Sequence, residues 1–164
     1  MNDALRQVLC VCTGNSARSI LAEGLLNHLG RGRFLAHSAG SHPAGQVQPL
    51  ALSTLQALGM AHEGFRSKSW DEFAAPGAPP LDFVFTVCDR AAGETCPFWP
   101  GQPMTAHWGV PDPAAVHGTD SEKARAYMDT AITLKRRIEL MLALPMAGLD
   151  SMAVQRHISD IGKR

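Results

Sequence analysis

An apolar run, Val8-Leu9-Cys10-Val11, passes through Cys12-Thr13-Gly14-Asn15-Ser16-Ala17-Arg18-Ser19 and on into a segment with helical periodicity. A strand that turns at once into a helix restricts the fold more than any other feature of this chain. It puts the connecting loop at the carboxyl end of a strand, where α/β folds hold their ligands. The chemistry of the loop fits that place. Successive backbone N–H groups in such a turn can converge on one tetrahedral anion, and the helix N-terminus adds partial positive charge. Arg18 can add a permanently charged, bidentate fork. Cys12, at the mouth of the same cradle, is expected as a thiolate nucleophile, with Ser19 placed to donate to it. Thr13, Gly14, Asn15, Ser16, Ala17, Arg18 and Ser19 thus read as an oxyanion-binding loop. Cys10, inside the apolar run with no charged flank, reads as core.

Strand-like and helix-like segments alternate after this. Ile20, Leu21, Leu25 and Leu29 share one face of a helix over 17–30 that Gly30 stops, and 34–38 reads as a second strand. Leu50, Leu52, Leu55 and Leu58 support a helix behind Pro49, closed by Gly59. Ser69-x-x-Glu72 has the capping-box pattern for a short helix around Trp70 and Phe73. Residues 81–88 form the clearest strand, and 103–108 a fourth. Thr119-x-x-Glu122 opens a long helix whose inward stripe reads Ala124, Tyr127, Met128, Ala131, Ile132, the Lys135 stem, Ile138 and Met141. Asp150 can cap a final amphipathic helix through Ile158 and Ile161. The expectation is a small three-layer α/β fold around a four-stranded parallel sheet. The Pro/Gly stretch 75–80 is too short for an interdomain linker, so residues 1–164 read as one domain.

Fifteen Lys and Arg balance fifteen Asp and Glu. No global basic field therefore exists for nucleic acid or an anionic membrane, and any anion must be recognised locally. No run approaches the roughly 18 apolar residues of a membrane span, and the N-terminus lacks a signal-peptide layout. Four cysteines are too sparse for a disulfide scaffold, which points to a reducing cytoplasm where thiols do chemistry.

Two of those thiols, Cys88 and Cys96, follow the third strand. A stiff helix between them would hold them about 12 Å apart along its axis, too far to bridge. Gly93 and Pro97 make unwinding plausible. Core positions, or zinc ligation with Cys10 and Cys12, are the alternatives, although neither pair has the close spacing usual for zinc. Asp112, between Pro111 and Pro113 after the fourth strand, is either an ordinary turn aspartate or a carboxyl held over the strand ends. Beside a thiolate and an anion cradle it is the best general acid in the chain.

Cys12-Thr13-Gly14-Asn15-Ser16-Ala17-Arg18-Ser19, Ala22-Glu23, His37-Ser38-Ala39-Gly40 and Asp112-Pro113 together resemble the low-molecular-weight protein tyrosine phosphatases. The further pair Cys88 and Cys96 resembles the arsenate reductases built on that fold. The resemblance implies that Cys12 attacks arsenate at arsenic, and that Arg18 and the loop amides bind the oxyanion. It implies that Asp112 protonates the leaving hydroxide, with Asn15 and Ser38 bracing the loop. Cys88 would then release arsenite, and Cys96 would carry the disulfide outward to thioredoxin or a glutathione/glutaredoxin system. No bound cofactor is implied, only an external thiol reductant. Some such reductases hold potassium, through residues matching Asn15, Glu23 and Ser38 plus a Thr and an Asp that here fall at Ser67 and Ser69.

Two departures favour a small inorganic oxyanion. Ala17 stands where the phosphatases commonly carry a second loop cysteine, and Ala114 and Ala115 follow Pro113 where they place an aromatic wall. Hydrolysis of phosphotyrosine or small phosphomonoesters is the second reading, since Cys12, Arg18 and Asp112 suffice for it. A phosphocysteine carrier subunit is the third, and Arg18 argues against it.

Overall fold

The computed structural model describes residues 5–89, 93 and 99–164. Four strands, β1 (Arg6–Cys12), β2 (Phe34–Gly40), β3 (Phe83–Thr86) and β4 (Met104–His107), form one sheet in the order β2-β1-β3-β4. All three pairings are parallel, with Val8 opposite Ala36 and Phe83, and Phe83 opposite Met104. The strand order reverses direction at β1, and this switch point is where an open parallel sheet leaves a crevice beyond its carboxyl ends. Cys12 ends β1 at that point. Val8 through Cys12 are all buried. Burial of every successive residue, which sends alternate side chains to opposite faces, means that both faces of the central strand are covered.

Among the described residues the helices are α1 (Arg18–Leu29), α2 (Pro49–Ala57), α3 (Asp120–Leu142) and α4 (Ser151–Ile161). α1 packs on β1, β2, α2 and α3, and α4 packs on β4 and α3. Phe83, Phe85 and Trp108 make an aromatic ladder, the last two stacked at 4.0 Å between ring centroids. Among the described residues no helix is long and apolar enough to cross a membrane.

The local signals mostly resolve as written in the sequence. Thr119 and Glu122 form both halves of a capping box on α3, and Asp150 Oδ1 accepts the Ala153 N–H on α4. The third and fourth strands are shorter than the apolar runs that mark them, because their flanking residues serve loops. Two expectations are corrected. At Ser69 only half a cap forms, over a 3-10 turn (Trp70–Phe73). Ser69 Oγ accepts from the Asp71 N–H, while the Glu72 carboxylate turns to Arg66 in a two-pronged contact at 2.6 and 3.0 Å. A charged fork wins Glu72 because it offers two hydrogen bonds where the cap offers one.

The inward stripe of α3 is the second correction. Its seam is Tyr127, Thr130, Ala131, Leu134, Arg137, Ile138 and Met141, while Ala124 is exposed and Ile132 is half exposed. Reading apolar residues inward missed that two polar side chains, Thr130 and Arg137, have internal acceptors. Thr119→Ala, which removes the cap without touching the core, should lower stability by about 1 kcal/mol in urea denaturation.

Candidate functional site

The loop between β1 and α1 is shaped from outside by its carbonyls. Cys12 O accepts from the Ser41 N–H at 3.3 Å, Thr13 O from His42 at 2.9 Å, Gly14 O from Ala44 at 2.9 Å and Ser16 O from Gln48 at 2.9 Å. Ser67 Oγ donates to Gly14 O as well, and itself accepts the Gly45 N–H. In a planar trans peptide the N–H points opposite to its C=O. Outward carbonyls at Thr13, Gly14 and Ser16 therefore turn the N–H groups of Gly14, Asn15 and Ala17 inward. The Asn15 N–H shows where they point, since it reaches Cys12 Sγ at 3.3 Å.

Asn15 is the conformational pivot. It is fully buried and left-handed, with φ +47°, whereas the Gly14 before it has no positive φ. Its Oδ1 accepts the Lys68 N–H at 2.9 Å, and its Nδ2 donates to Ser19 Oγ at 2.8 Å. A Ser19 oxygen that receives this donor can aim its own hydrogen at Cys12 Sγ, 2.9 Å away. Gly40, at the end of β2, is required by proximity: a Cβ there would sit 2.5 Å from Thr13 O.

α1 starts with no side-chain cap and no acidic residue in its first turn. Its first N–H groups are thus open to an anion. Arg18 leans across the mouth, donating through Nη1 to Val110 O at 3.1 Å and lying 3.7 Å from Asp112 Oδ2. Asp112 plays both of its possible parts. Its Oδ1 caps a 3-10 turn (Pro113–Ala115) by accepting the Ala114 N–H, and its other oxygen faces Arg18.

Cys12, Thr13, Gly14, Ser16, Ala17, Arg18, Cys88, Asp89 and the 109–112 loop surround a cavity of about 520 Å³. Cys88 Sγ is 3.5 Å from Thr13 Oγ1 and buried. Cys96 lies outside the described residues. Among the described residues, none that lines the cavity is aromatic. Tyr127, the sole tyrosine, is buried, and burial, with the Asp112 charge second, pushes its phenol pKa up. Cys10 is core, its thiol pushed far up by burial, then by Glu23 and Cys12.

Ser38 Oγ donates to Glu23 Oε1 at 2.5 Å, joining β2 to α1 rather than reaching the loop. Burial raises the Glu23 pKa, against the lowering effects of that hydrogen bond and of Lys68 and Arg66. The residues matching the potassium set do not fit such an ion. Asn15 Oδ1 and Ser67 Oγ are committed to the backbone, Ser69 caps its turn, and Lys68 already supplies positive charge beside Glu23. Among the described residues no group of three His, Cys, Asp or Glu side chains is placed to hold a metal ion.

The geometry has a family. Residues 7–144 match the model of the low molecular weight phosphotyrosine protein phosphatases. The chain belongs to that family. An arsenate reductase from Halalkalibacterium halodurans is 33% identical over 129 residues, 79% of this chain and 89% of that one. The solved structure of an arsenate reductase in its phosphate binding state superposes with a TM-score of 0.65 at 26% identity, covering 85% of this chain and 98% of the other. A thioredoxin-dependent arsenate reductase from Corynebacterium glutamicum gives 0.56 at 25% identity over 85% of this chain and 65% of its own.

The segments 41–48 and 66–69 grip the loop, a role that sequence reasoning missed although it named Ser67 and Ser69 for others. Their grip is mostly backbone, so no residue type announces it. Gly40 was the one available signal. Asn15→Gly keeps the left-handed backbone but loses both side-chain bonds, and should cost about 1–3 kcal/mol in urea denaturation. Asn15→Ala should cost roughly 1 kcal/mol more, since it adds the left-handed penalty. Equal losses in the two variants would show that the backbone conformation is not part of the cost.

Proposed function

We propose that this chain reduces arsenate to arsenite. The observation that carries the reading is a second thiol, Cys88, on the wall of the cavity that holds Cys12, Arg18 and Asp112. A phosphatase has no use for that thiol, because water resolves a phosphocysteine. The described walls, which carry no aromatic side chain, suit a small tetrahedral oxyanion better than a phosphotyrosine ring. Similarity to arsenate reductases in sequence and in structure supports the same reading.

The chemistry follows from the placement. Arsenate enters the loop on the inward N–H groups and the Arg18 guanidinium. The Cys12 sulfur, which the Ser19 hydroxyl and the Asn15 N–H face, attacks arsenic as a thiolate. Asp112 gives a proton to the departing hydroxide, so an S–As bond replaces an As–O bond and water leaves. The Cys88 thiolate next attacks Cys12 Sγ. The S–As bond breaks with its electron pair going to arsenic, which leaves as arsenite, and two sulfurs are oxidised to a disulfide. Cys96 exchanges into that disulfide and frees Cys12. An external dithiol returns the Cys88–Cys96 bond to thiols. Thioredoxin is the reductant we favour, in keeping with the thioredoxin-dependent relative, and glutathione with glutaredoxin is the alternative. This cycle needs no bound cofactor and suits a reducing cytoplasm.

Residual hydrolysis of small phosphoesters is a second activity of the same site, since Cys12, Arg18 and Asp112 are what it requires. The decisive experiment incubates the reduced protein with arsenate and maps disulfides by mass spectrometry. Wild type should carry Cys88–Cys96, and Cys96→Ser should stop after one turnover as Cys12–Cys88. Cys12→Ser should form neither disulfide and release no arsenite. Arsenate turnover that survives both Cys88→Ser and Cys96→Ser would defeat the relay, and a wild type that hydrolyses aryl phosphates but releases no arsenite would put the phosphatase reading in front. Arg18→Lys should lose most turnover although it keeps the charge, because an ammonium cannot replace the fork.

A further inference from the structure

Three successive carbonyls of the loop after β4 are each taken by a guanidinium. Arg18 reaches Val110 O from the cavity side. From behind, Arg137 Nη1 donates to Trp108 O at 2.8 Å and to Gly109 O at 3.0 Å, while its Nε donates to Arg164 O at 3.2 Å. Arg137 is buried on the seam of α3, and among the described residues no Asp or Glu side chain pairs with it. A permanent charge in that position is costly unless hydrogen bonds satisfy it, and here the loop carbonyls supply them.

The consequence reaches Asp112. With Gly109 C=O fixed on Arg137, planarity sends the Val110 N–H the other way, and it donates to Val87 O at 3.1 Å. Trp108 is held as well, its ring stacked on Phe85 and its Nε1 donating to Ile158 O at 2.8 Å. From Val110 it is two residues to Asp112, through Pro111, whose ring leaves little backbone freedom.

We infer that Arg137 is a positioning residue: by clamping the Trp108 and Gly109 carbonyls it sets where the Asp112 carboxyl and the Arg18 guanidinium meet over the cavity. The inference rests on Asp112 being the acid of the proposed reaction. A lysine at 137 keeps the charge but lacks the planar guanidinium that holds Trp108 O and Gly109 O on Nη1 while Nε is anchored on Arg164 O.

Arg137→Lys and Arg137→Gln test it, with the lysine variant holding the test open if the glutamine variant does not fold. In Arg137→Lys, amide hydrogen exchange at Val110 and Ala114 should quicken by about tenfold or more while the β1 and β3 amides hold. Arsenate kcat should fall about tenfold with KM changed less than about threefold, and adding Arg137→Lys to Asp112→Asn should cost nothing further. Unchanged exchange at Val110 and Ala114 would overturn the inference, as would a rise shared equally by β1, or losses that multiply in the double variant. Full turnover in Asp112→Asn alone would instead strike the acid assignment and leave the exchange result standing.

Discussion

The outward hold on four loop carbonyls is what the rest of the site depends on. Backbone amides cannot bind an anion unless their carbonyls are satisfied elsewhere, because the two ends of a peptide unit point in opposite directions. Residues 41–48 supply that satisfaction for Cys12, Thr13, Gly14 and Ser16, and Ser67 adds a second bond at Gly14. Asn15 makes the arrangement rigid from inside, since its side chain ties the 66–69 segment to Ser19 while its backbone makes the left-handed turn. In the proposed reaction Cys12 is therefore prepared by groups that do not line the cavity. Such preorganisation is the way a site stabilises developing charge without reorganising at the moment of reaction.

Cys10 and Cys12, the proposed nucleophile, lie close together in different surroundings. They are two residues apart in one strand and lie on the same face of the pleat. Cys12 stands at the strand's end, where donors from Ser19 and Asn15 meet it. Cys10 sits about 7 Å further down the strand, where burial and nearby negative charge disfavour its ionised form. Position along the strand, rather than residue type, sets the surroundings of each thiol.

How much the sequence reveals follows from the range of the interactions. The strand, Cys12, Arg18 and the start of α1 are legible because the motif is local and each residue has a role its type suits. The capping boxes are legible for the same reason, and Ser69-x-x-Glu72 fails only because Arg66 competes for the glutamate. The grip of segments 41–48 and 66–69 is not legible, because their contacts are mostly backbone contacts between distant parts of the chain. Arg137 is a harder case. A charged residue on a helix is normally read outward, and nothing within α3 shows that carbonyls of the 108–109 turn wait on the inner side.

The family match ends at residue 144, and α4 lies beyond it. This helix runs along β4, the last strand of the sheet, where Gln155 Nε2 donates to Thr105 O at 2.7 Å and Gly162 passes so near His107 O that no side chain would fit. An outer strand with free carbonyls and amides is a template on which another chain can add a strand. At the opposite rim, Gly40 bridges Ser69 beside β2. With α4 laid along it, the β4 rim offers less open edge on which a second molecule could add a strand.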